Sequence, residues 1–386
     1  MKILEITFVP PDKRSGGGLG IYQSIKSLCS VGNVDYIGPE FDTSLFYNEF
    51  NTLCILKSKK RSISRMILKN VTTSYYDDWL NIADNINWTE YDFVHIESSR
   101  YYFVVETVKR YNIPIIIRMH NIESDYGLNI YKKSKNLSNY IRYYSYRVNE
   151  KKVMAKVDYV IFLTKNDVER AKNLYKVKYN QMYINPVCIE TSNKFYLETQ
   201  CKNENISKFL MTGTLNYGSN VDGIVWFLEN VWIKKFRDKS YSLTIAGAHP
   251  NEELKNIISK NKNVYLIDTP NDMTEYFLNA DCYIAPIFDG AGMKVKVAEA
   301  LSYGLPVIGT THAFIGYENI SYGKYLANTT KEFVSQIEEC ATNNINKEAI
   351  YNEFNSKLSM NHSKEFYNKM IVDLKNCNGQ QFLKQN

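Results

Sequence analysis

The sequence lacks any run of apolar residues long enough to span a bilayer, which takes about 20 residues. Its N-terminus, MKILEITFVPPDKRSGGG, has one lysine ahead of a short apolar run. Prolines and charges then stand where a secretory signal would have a small-residue cleavage site. We interpret the segment as a first β-strand, and we expect a cytoplasmic protein that is not integral to a membrane.

Cysteine pairs of the CxxC type are also absent. The seven cysteines are scattered along the chain and odd in number. This usage favours neither a disulfide framework nor a zinc site, and it fits a reducing compartment.

Three motifs of metal and nucleotide chemistry are missing as well. No DxD sequence is available to anchor a divalent ion, and no GK[ST] ending marks a P-loop. The glycine-rich segment RSGGGLGIYQSI (14–25) lacks the GxGxxG spacing of a dinucleotide site. The sequence therefore disfavours P-loop NTPases and dehydrogenases, and we expect neither a bound metal nor a cofactor.

Positive charge is in small excess over negative charge. The formal net charge is +6, too little to indicate a nucleic-acid partner. The basic stretch KSKKRSISRMILK (57–69) is compatible with a solvated helix start or with an anionic membrane or phosphate surface. The stretch NYIRYYSYR (139–147) is compatible with packing of a long helix or with a site for a sugar or lipid headgroup.

The sequence is long, and two kinds of secondary-structure pattern alternate along it. Its 386 residues exceed what one core usually organises, since domains cluster near about 100–200 residues. Short β-rich runs alternate with helical patterns, as in βαβ units around a parallel sheet. The predicted strands are residues 2–9, 33–38, 93–97, 114–120 and 159–164, then 208–213, 241–247, 263–267, 282–287 and 306–310. The predicted fold class is α/β, with two doubly wound Rossmann-like domains.

A polar stretch, TSNKFYLETQCKNENIS (191–207), separates the two alternating series. We place an N-terminal domain at residues 1–190 and a C-terminal domain at residues 191–361. A closing helix at about 362–380 is expected to pack back onto the N-terminal domain.

Three glycine-bearing turns follow predicted strands. In doubly wound sheets, ligands bind beyond the carboxyl ends of strands, where glycine permits close backbone approach and helix N-termini attract phosphate. The turns are GGG (16–18), TGTLNYGS (212–219) and DGAG (289–292). Consecutive glycines predict a loop rather than a helix, and a plain flexible loop is equally compatible with the first turn. Ser219 or Asn220 is the predicted cap of the helix after the second.

Two lysines and a glutamate follow the third turn. We predict a helix whose first turn holds Lys294 and Lys296, with the amides of Gly292, Met293 and Lys294 pointing above the sheet. Cations at a helix N-terminus are unfavourable unless an anionic ligand relieves them. Residues two apart diverge by about 200°, so the two lysines should not face one pocket. Glu299, in an apolar helix, needs polar partners such as ribose hydroxyls.

Several segments, in this order, resemble the GT-B glycosyltransferases of the retaining family four group. In the C-terminal half they are TGTLNY with NVDGIVWFLENVW (212–232), LTIAGAHP (243–250) and ADCYIAPIFDGAGMKVKVAEALSYGLPVIGT (280–310). In the N-terminal half the looser matches are GGGLGIYQSI (16–25), FVHIE (93–97) and RMHNIESDY (118–126).

The resemblance implies a glycosyltransferase that transfers a sugar, with retention, from a UDP or GDP sugar to an acceptor hydroxyl in the cleft between the domains. It implies that the leaving phosphate takes the acceptor proton and that no metal is needed. The implied acceptor is a surface polysaccharide or a lipid-linked glycan in a bacterium. Such an acceptor would give the enzyme peripheral contact with the inner face of the membrane.

The resemblance also assigns residues. The donor-binding set is Gly17, Gly18, Gly213, Thr214, Leu215, Asn216, Gly290, Ala291, Gly292, Met293, Lys294, Lys296 and Glu299. The catalytic set is His120, Lys294 and Asp289, and the acceptor-binding set is His95, Glu97, Asn121 and Glu123. Each predicted histidine lies at the carboxyl end of a strand, where an imidazole can hydrogen-bond a sugar hydroxyl, although a satisfied loop histidine is the alternative for His120.

The chain departs from the family pattern at two places. The family often carries two glutamates eight residues apart, but Ala291 stands eight before Glu299, and Asp289 is the closest acid. Many members place an arginine and a lysine on the turn after the first strand of the second domain, where this chain has Thr214 and Asn220. We expect Lys294 and Lys296 to substitute for those two cations.

Two other classes of protein share part of this pattern. A nucleotide-sugar epimerase would use the same diphosphate turn without an acceptor. A non-catalytic module that binds nucleotide sugars would retain the site but lack turnover.

Overall fold

The structure, a computed structural model, describes eight stretches of the chain. They are residues 1–13, 16–46, 49–59, 70–175, 182–191, 207–216, 218–290 and 292–382. The chain divides into two compact units, one formed by residues 1–188 with 360–386 and the other by residues 189–359. The basic stretch 57–69 and the polar stretch 191–207 fall largely outside the described residues.

The first unit is an α/β fold around a parallel sheet. Its strands are β1 (Lys2–Ile6), β2 (Asn33–Gly38), β3 (Asn51–Ile55), β4 (Phe93–Glu97), β5 (Ile115–Met119), β6 (Tyr159–Phe162) and β7 (Met182–Ile184). Its helices up to residue 188 are α1 (Gly16–Cys29), α2 (Tyr76–Ala83), α3 (Tyr102–Val108), α4 (Glu123–Ser134), α5 (Leu137–Met154) and α6 (Lys165–Tyr175), with short 3-10 turns at Thr43–Leu45, Trp88–Glu90 and Lys109–Tyr111. The strand order is β3-β2-β1-β4-β5-β6-β7, so the order reverses between β1 and β4, where doubly wound folds bind ligands.

The central strands of this sheet are buried on both faces, which explains their nearly continuous apolar runs. Polar residues interrupt those runs at positions that are paired across neighbouring strands. Glu5 of β1 is paired with His95 of β4, and Glu97 of β4 is paired with Arg118 of β5. All four side chains are buried. The sheet centre therefore contains a charged network that the surrounding apolar core must accommodate.

The second unit repeats the design with six parallel strands. They are β8 (Lys208–Thr212), β9 (Ser242–Gly247), β10 (Val264–Asp268), β11 (Cys282–Ala285), β12 (Val307–Gly309) and β13 (Lys324–Leu326). The helices are α7 (Gly218–Phe227), continued by a π-helical turn Leu228–Trp232 and a last turn Ile233–Lys235, α8 (Glu252–Ser259), α9 (Thr274–Asn279), α10 (Val295–Ser302), α11 (Thr330–Thr342) and α12 (Lys347–Leu358). The strand order β10-β9-β8-β11-β12-β13 reverses between β8 and β11. The turns after those two strands are the predicted glycine turns.

A long closing helix, α13 (Met360–Phe382), returns to the first unit. Tyr367 and Met370 pack with Leu28 of α1 and Val34 of β2 in one buried cluster. The helix therefore covers apolar surface on one face of the first sheet.

The fold class predicted from the sequence is confirmed, with corrections of detail. Most predicted strands run one to three residues too long; at β1, for example, the apolar run continues through Phe8 and Val9, beyond the last paired residues. Three short strands, β3, β7 and β13, were not predicted. Gly16–Gly18 belong to helix α1 instead of forming a loop, because buried Ile21, Tyr22 and Ile25 anchor the helix, and packing outweighs the glycine penalty of about 1 kcal/mol. Within the described residues, no helix is long and apolar enough to cross a membrane.

Candidate functional site

The turn after β8 is held by backbone hydrogen bonds. Gly213 N–H donates to the Ala246 carbonyl and Leu215 N–H to the Ala248 carbonyl. Leu215 is wholly buried, whereas Thr214 and Asn216 are exposed. Of the residues on this turn that were predicted to bind the donor, Leu215 therefore packs in the core, and Thr214 and Asn216 face solvent.

Lys296 of α10 reaches this turn from the other side of the switch point. Its Nζ donates to Asn220 Oδ1 at 2.8 Å, and Asn220 Nδ2 donates to the Thr214 carbonyl at 3.1 Å. A Cβ on Gly213 would be 2.8 Å from the Lys296 Nζ, so the ammonium occupies space that only glycine leaves open. Asn220 lies inside α7, which begins at Gly218, so the prediction that it or Ser219 caps that helix is wrong.

Burial sets the charge of this lysine. Desolvation lowers the pKa of Lys296 to about 8, with Lys294 contributing in the same direction and Glu299 opposing both. Burial also raises the pKa of Glu299, against the attraction of Lys296. An ammonium that is this poorly solvated is stabilised by any anion that enters the turn.

A cleft of about 250 Å³ adjoins the Lys296 ammonium. The cleft lies beyond the ends of β8 and β11. It is open to solvent, and part of the stated volume is solvent space. Its lining combines apolar strand ends with a few polar side chains, which are those of Thr212, Ser219, Asn220, Tyr283 and Lys296. This composition is typical of small-molecule sites.

The turn after β11 is tied together by its own polar groups. Asp289 accepts a hydrogen bond from the Gly290 N–H at 2.6 Å. Lys294 Nζ donates to the Gly290 carbonyl at 2.8 Å and to the Gly292 carbonyl at 2.6 Å. His312 Nε2 lies 2.5 Å from the same Gly290 carbonyl. Lys294 therefore braces the turn while Lys296 faces the Gly213 turn, which agrees with the predicted divergence of the two lysines.

The helix that follows starts later than predicted. Its first residue is Val295, and Lys294 is the N-cap, so the amides of Gly292, Met293 and Lys294 precede the helix. Met293 is buried, and Ala291 lies outside the described residues. The amides of Val295 and Lys296 belong to the first helical turn, where a bound anion is favoured.

A tyrosine that the sequence did not reveal shapes this helix start. The Tyr317 hydroxyl donates to the Lys294 carbonyl at 2.7 Å and accepts from the Ala298 N–H at 3.0 Å. The hydroxyl therefore lies between the Ala298 N–H and the Lys294 carbonyl, which would otherwise form a backbone hydrogen bond of the first helical turn. Tyr317 is wholly buried, so its hydroxyl fixes the start of α10 from the side of the core.

In the first unit, His120 directly follows β5 and is bonded to Glu97 at the end of β4. Nε2 lies 2.5 Å from Glu97 Oε2. On the opposite side the ring meets α1, since a Cβ on Gly20 would be 2.9 Å from His120 Cε1. Burial disfavours the Glu97 carboxylate, but the charges of His120, Arg118 and His95 outweigh it and lower the pKa of Glu97 to about 2.

His95 does not end its strand as predicted. It lies in the middle of β4 and is wholly buried. Its Nδ1 is 2.7 Å from Glu5 Oε2, and its Nε2 is 3.1 Å from the Tyr367 hydroxyl. Burial would lower the pKa of His95, but the Glu5 carboxylate outweighs it and raises that pKa. These bonds make His95 part of the core network in this conformation.

Glu5, His95 and Glu97 bring potential metal-ligand atoms within 4.8 Å of one another. Glu97 is already engaged by His120, and the Arg118 guanidinium lies 3.9 Å from it. The cationic neighbours balance these acids, and we treat the group as an ion-pair network of the protein itself.

The remaining acceptor candidates lie beside His120. Asn121 is partly exposed. Glu123 is buried as the first residue of α4 and accepts from Ser98 Oγ at 2.9 Å and from Arg100 Nε at 2.7 Å. The Glu150 carboxylate accepts from the Glu123 N–H at 2.8 Å, so it caps α4. The Glu123 carboxylate is therefore committed to protein partners.

The first glycine turn is the start of helix α1 where a loop was predicted. Gly17, in the first turn of α1, is exposed with open space around it, and Gly18 is buried. Gly20, which the sequence did not single out, makes the closer approach by receiving the His120 ring.

The chain has two units, each a doubly wound parallel sheet, and in the second unit glycine turns of the kind that binds ligands lie at the switch point. This arrangement is the GT-B class of fold. Residues 207–343 match the family model described as Glycosyl transferases group 1, which confirms the resemblance over that segment. No curated protein sequence matches the chain.

Solved structures share the fold over nearly the whole chain. A glycosyltransferase from Rickettsia africae ESF-5 has a TM-score of 0.65 at 16% identity, covering 96% of this chain and 97% of that one. Anabaena Alr3699/HepE in complex with UDP has a TM-score of 0.69 at 13% identity, covering 97% and 100%. The lipopolysaccharide outer core galactosyltransferase WaaB has a TM-score of 0.63 at 10% identity, covering 97% and 100%.

Proposed function

We propose that this chain is a glycosyltransferase that transfers a sugar from a nucleoside diphosphate sugar to an acceptor hydroxyl. The observation that carries the proposal is the position of the Lys296 ammonium over Gly213. A half-buried cation there joins the two glycine turns of the switch point, where doubly wound folds bind phosphate. The family match to residues 207–343 covers both turns.

The proposed donor is a UDP or GDP sugar. Its diphosphate lies against the Gly213 turn and the first amides of α10, where the helix dipole contributes about 0.3–1 kcal/mol and the ammonium contributes more. Lys294 holds the Gly290 turn open for it, and Glu299 accepts from the ribose hydroxyls. A HepE structure contains UDP and glucose, and another contains UDP-glucose, which supports this choice of ligand.

The reaction breaks the bond between the anomeric carbon and the diphosphate oxygen and forms a bond to the acceptor oxygen. Negative charge develops on the leaving diphosphate, and fixed cations and amides already aimed at it stabilise the transition state. The acceptor proton passes to a phosphate oxygen of the leaving diphosphate, so the protein needs no general base of its own. We propose retention of anomeric configuration from the family resemblance. We also propose a metal-independent reaction, because Lys296 occupies the place where a divalent ion would otherwise neutralise the diphosphate.

On the first unit, we assign acceptor recognition to the surroundings of His120 and Asn121. The imidazole at the end of β5 is partly exposed and can hydrogen-bond a sugar hydroxyl. WaaB is described as a galactosyltransferase of the lipopolysaccharide outer core. By analogy, we propose a surface polysaccharide or lipid-linked glycan as the acceptor and the inner face of a membrane as the place of reaction.

Donor turnover tests the proposal. A panel of UDP and GDP sugars is incubated with the wild type and with Lys296→Ala, Glu299→Ala and Lys294→Ala, and released nucleotide is measured. We expect losses of roughly 10²–10³ for Lys296→Ala, large losses for the other two variants, and native circular dichroism in all three. The matched controls are Lys331→Ala and Glu338→Ala, which alter exposed residues of α11 in the same unit.

The two rival classes give different products in this assay. An epimerase returns an isomeric nucleotide sugar and releases no nucleotide. A binding module shows saturable affinity without any product. Losses of less than about tenfold in both Lys296→Ala and Glu299→Ala would contradict the site assignment.

A further inference from the structure

One face of the first sheet carries a row of buried charged side chains. Glu5 is paired with His95, and Glu97 with Arg118, across neighbouring strands. His95 and Glu97 are two residues apart in β4, so all four side chains lie on the same face of the sheet. Helix α1 covers that face, since Arg118 Nη1 donates to the Gly20 carbonyl at 2.8 Å. The charged row therefore lies between the sheet and α1.

Helix α13 closes the space from another side. The Tyr367 hydroxyl lies 3.1 Å from His95 Nε2. One turn earlier in α13, the Ser363 hydroxyl accepts from Ser27 Oγ of α1 at 2.9 Å. Next to these polar contacts, apolar residues of α1, α13 and the strands pack in one buried cluster. The charged row is therefore enclosed by the sheet and two helices.

Five polar atoms of this enclosure have no hydrogen-bond partner among the residues that the structure describes. They are Oε1 of Glu5, Oε1 of Glu97, Nε of Arg118 and both amide atoms of Gln23. Each of these four side chains is at most 2% exposed. Gln23 follows Gly20 by three residues, so it lies on the face of α1 that contacts Arg118. Because an unpaired buried donor or acceptor is costly, these atoms indicate a bound species that pairs with them.

The mixture of donors and acceptors identifies the chemical class of that species. A metal cation would pair with the carboxylate oxygens but would lie against the Arg118 guanidinium, which is 3.9 Å from Glu97. An anion would pair with the N–H groups but would be repelled by the Glu97 carboxylate. Water both donates and accepts hydrogen bonds, and a buried water makes about three of them. The five atoms therefore require about two waters.

We propose that the space between α1, α13 and the first sheet binds about two ordered waters, which bridge Gln23 and Arg118 to the two buried glutamates. The waters join the hydrogen-bonded pair that contains His95 to the pair that contains His120, so that both pairs belong to one network. Gln23 is then a positioning residue for His120, because it acts on the ring through the waters and the carboxylate that holds it. The proposal does not depend on sugar transfer.

A high-resolution crystal structure of the free protein tests the water site directly. We expect water density within hydrogen-bonding distance of Arg118 Nε and of Glu5 Oε1. Anomalous scattering data from the same crystals distinguish a water from a transition metal. A metal ion or an anion bound at these atoms would overturn the proposal. So would a Gln23 amide bonded directly to Arg118 and to a glutamate, with no water between them.

Gln23→Met tests the link to His120 in solution. Methionine has a similar length but no amide, so the waters lose two of their partners. Relaxation dispersion of the water-oxygen signal should detect about one long-lived water fewer than in the wild type. The imidazole nitrogen resonances of His120, assigned with His120→Gln, should shift. The matched control is Asn256→Met, which removes an exposed amide from α8 and should change neither quantity.

Two results with this variant would contradict the proposal when its circular dichroism is native. One is a number of long-lived waters equal to that of the wild type, and the other is a set of His120 resonances at their wild-type positions. The crystal structure of the wild type decides the presence of the waters whether or not Gln23→Met folds.

Discussion

The imidazole of His120 is hydrogen-bonded to the carboxylate of Glu97 at 2.5 Å, across the carboxyl ends of neighbouring strands β5 and β4. Glu97 is itself buried beside Arg118, with which it is paired in the sheet register. The bond orients the ring of the only histidine of this network that reaches the surface in the described part of the chain. Any role of His120 in binding an acceptor therefore depends on the residues that hold its ring.

Gly20 provides the second constraint on His120, and Gly20→Ala tests it. The added Cβ would be 2.9 Å from His120 Cε1, so the ring must move. Alanine is otherwise favoured over glycine in a helix by about 1 kcal/mol. We expect transfer to fall at least about tenfold while thermal stability changes little. Gly17→Ala, in the same helix with nothing within 4 Å, leaves the His120 ring in place and should only gain stability. Unchanged transfer by Gly20→Ala would exclude a role for the position of His120.

Gly213→Ala tests the position of Lys296 without removing its charge. The new Cβ would lie 2.8 Å from the Lys296 Nζ and 2.9 Å from Asn220 Nδ2. The ammonium must leave the turn, so we expect UDP affinity to fall at least about tenfold. Gly218→Ala has nothing within 4 Å of the new Cβ and should bind UDP like the wild type. Calorimetric titration of both variants makes the comparison, and unchanged affinity of Gly213→Ala would place the diphosphate elsewhere.

The pKa of Lys296 predicts how binding depends on pH. Burial holds it at about 8 in the free protein, and a bound diphosphate should raise it by favouring the charged form. Affinity for UDP is then full below about pH 8 and falls by up to about tenfold per pH unit above it. The stability of the fold depends on pH in the opposite direction. Because the pKa of Lys296 is lower in the folded protein than in the unfolded chain, the free energy of unfolding increases as pH rises from about 8 toward the ordinary lysine pKa of 10.5.

Lys296→Arg separates this effect from other titrations. Guanidinium stays charged throughout the range, so the variant should lose the pH dependence of UDP binding between about pH 7 and about pH 10. Proton uptake on binding, measured in buffers of different ionisation enthalpy, should be present near pH 8 in the wild type and absent in the variant. A wild type with constant affinity over that range would contradict the prediction.

Tyr317→Phe tests the cap of α10. Removing the hydroxyl leaves the buried Ala298 N–H without its acceptor, and the Lys294 carbonyl then keeps only the Val297 N–H as a donor. We expect unfolding free energy to fall by about 1–3 kcal/mol, measured by urea denaturation, and nucleotide affinity to fall as the helix start becomes less ordered. Tyr322→Phe, at an exposed tyrosine of the same unit, should change neither quantity. A fully stable Tyr317→Phe variant would show that the cap is dispensable.

Much of this architecture could be predicted from the sequence, because it follows from local patterns. The central strands are long apolar runs, and glycine turns follow two of them. The missed strands β3, β7 and β13 lie at sheet edges. They are short and mostly half-exposed or exposed, so they show neither a continuous apolar run nor a clean alternation.

The parts of the site that could not be predicted are contacts between residues far apart in the chain. Nothing local indicates that Lys296 lies over Gly213, or that the Tyr317 hydroxyl enters the first turn of α10. The pairing of Glu5 with His95 depends on strand register, which a single sequence does not specify. Charged residues inside apolar strands were the available signal, but His95 and Glu97 among them were predicted to bind an acceptor.

The most direct test of the account is a crystal structure of the protein with bound UDP or GDP. We predict that the diphosphate lies within hydrogen-bonding distance of the Lys296 Nζ and of the Val295 and Lys296 amides, with the ribose on Glu299. A nucleotide bound elsewhere on the chain, with Lys296 still donating only to Asn220, would contradict it.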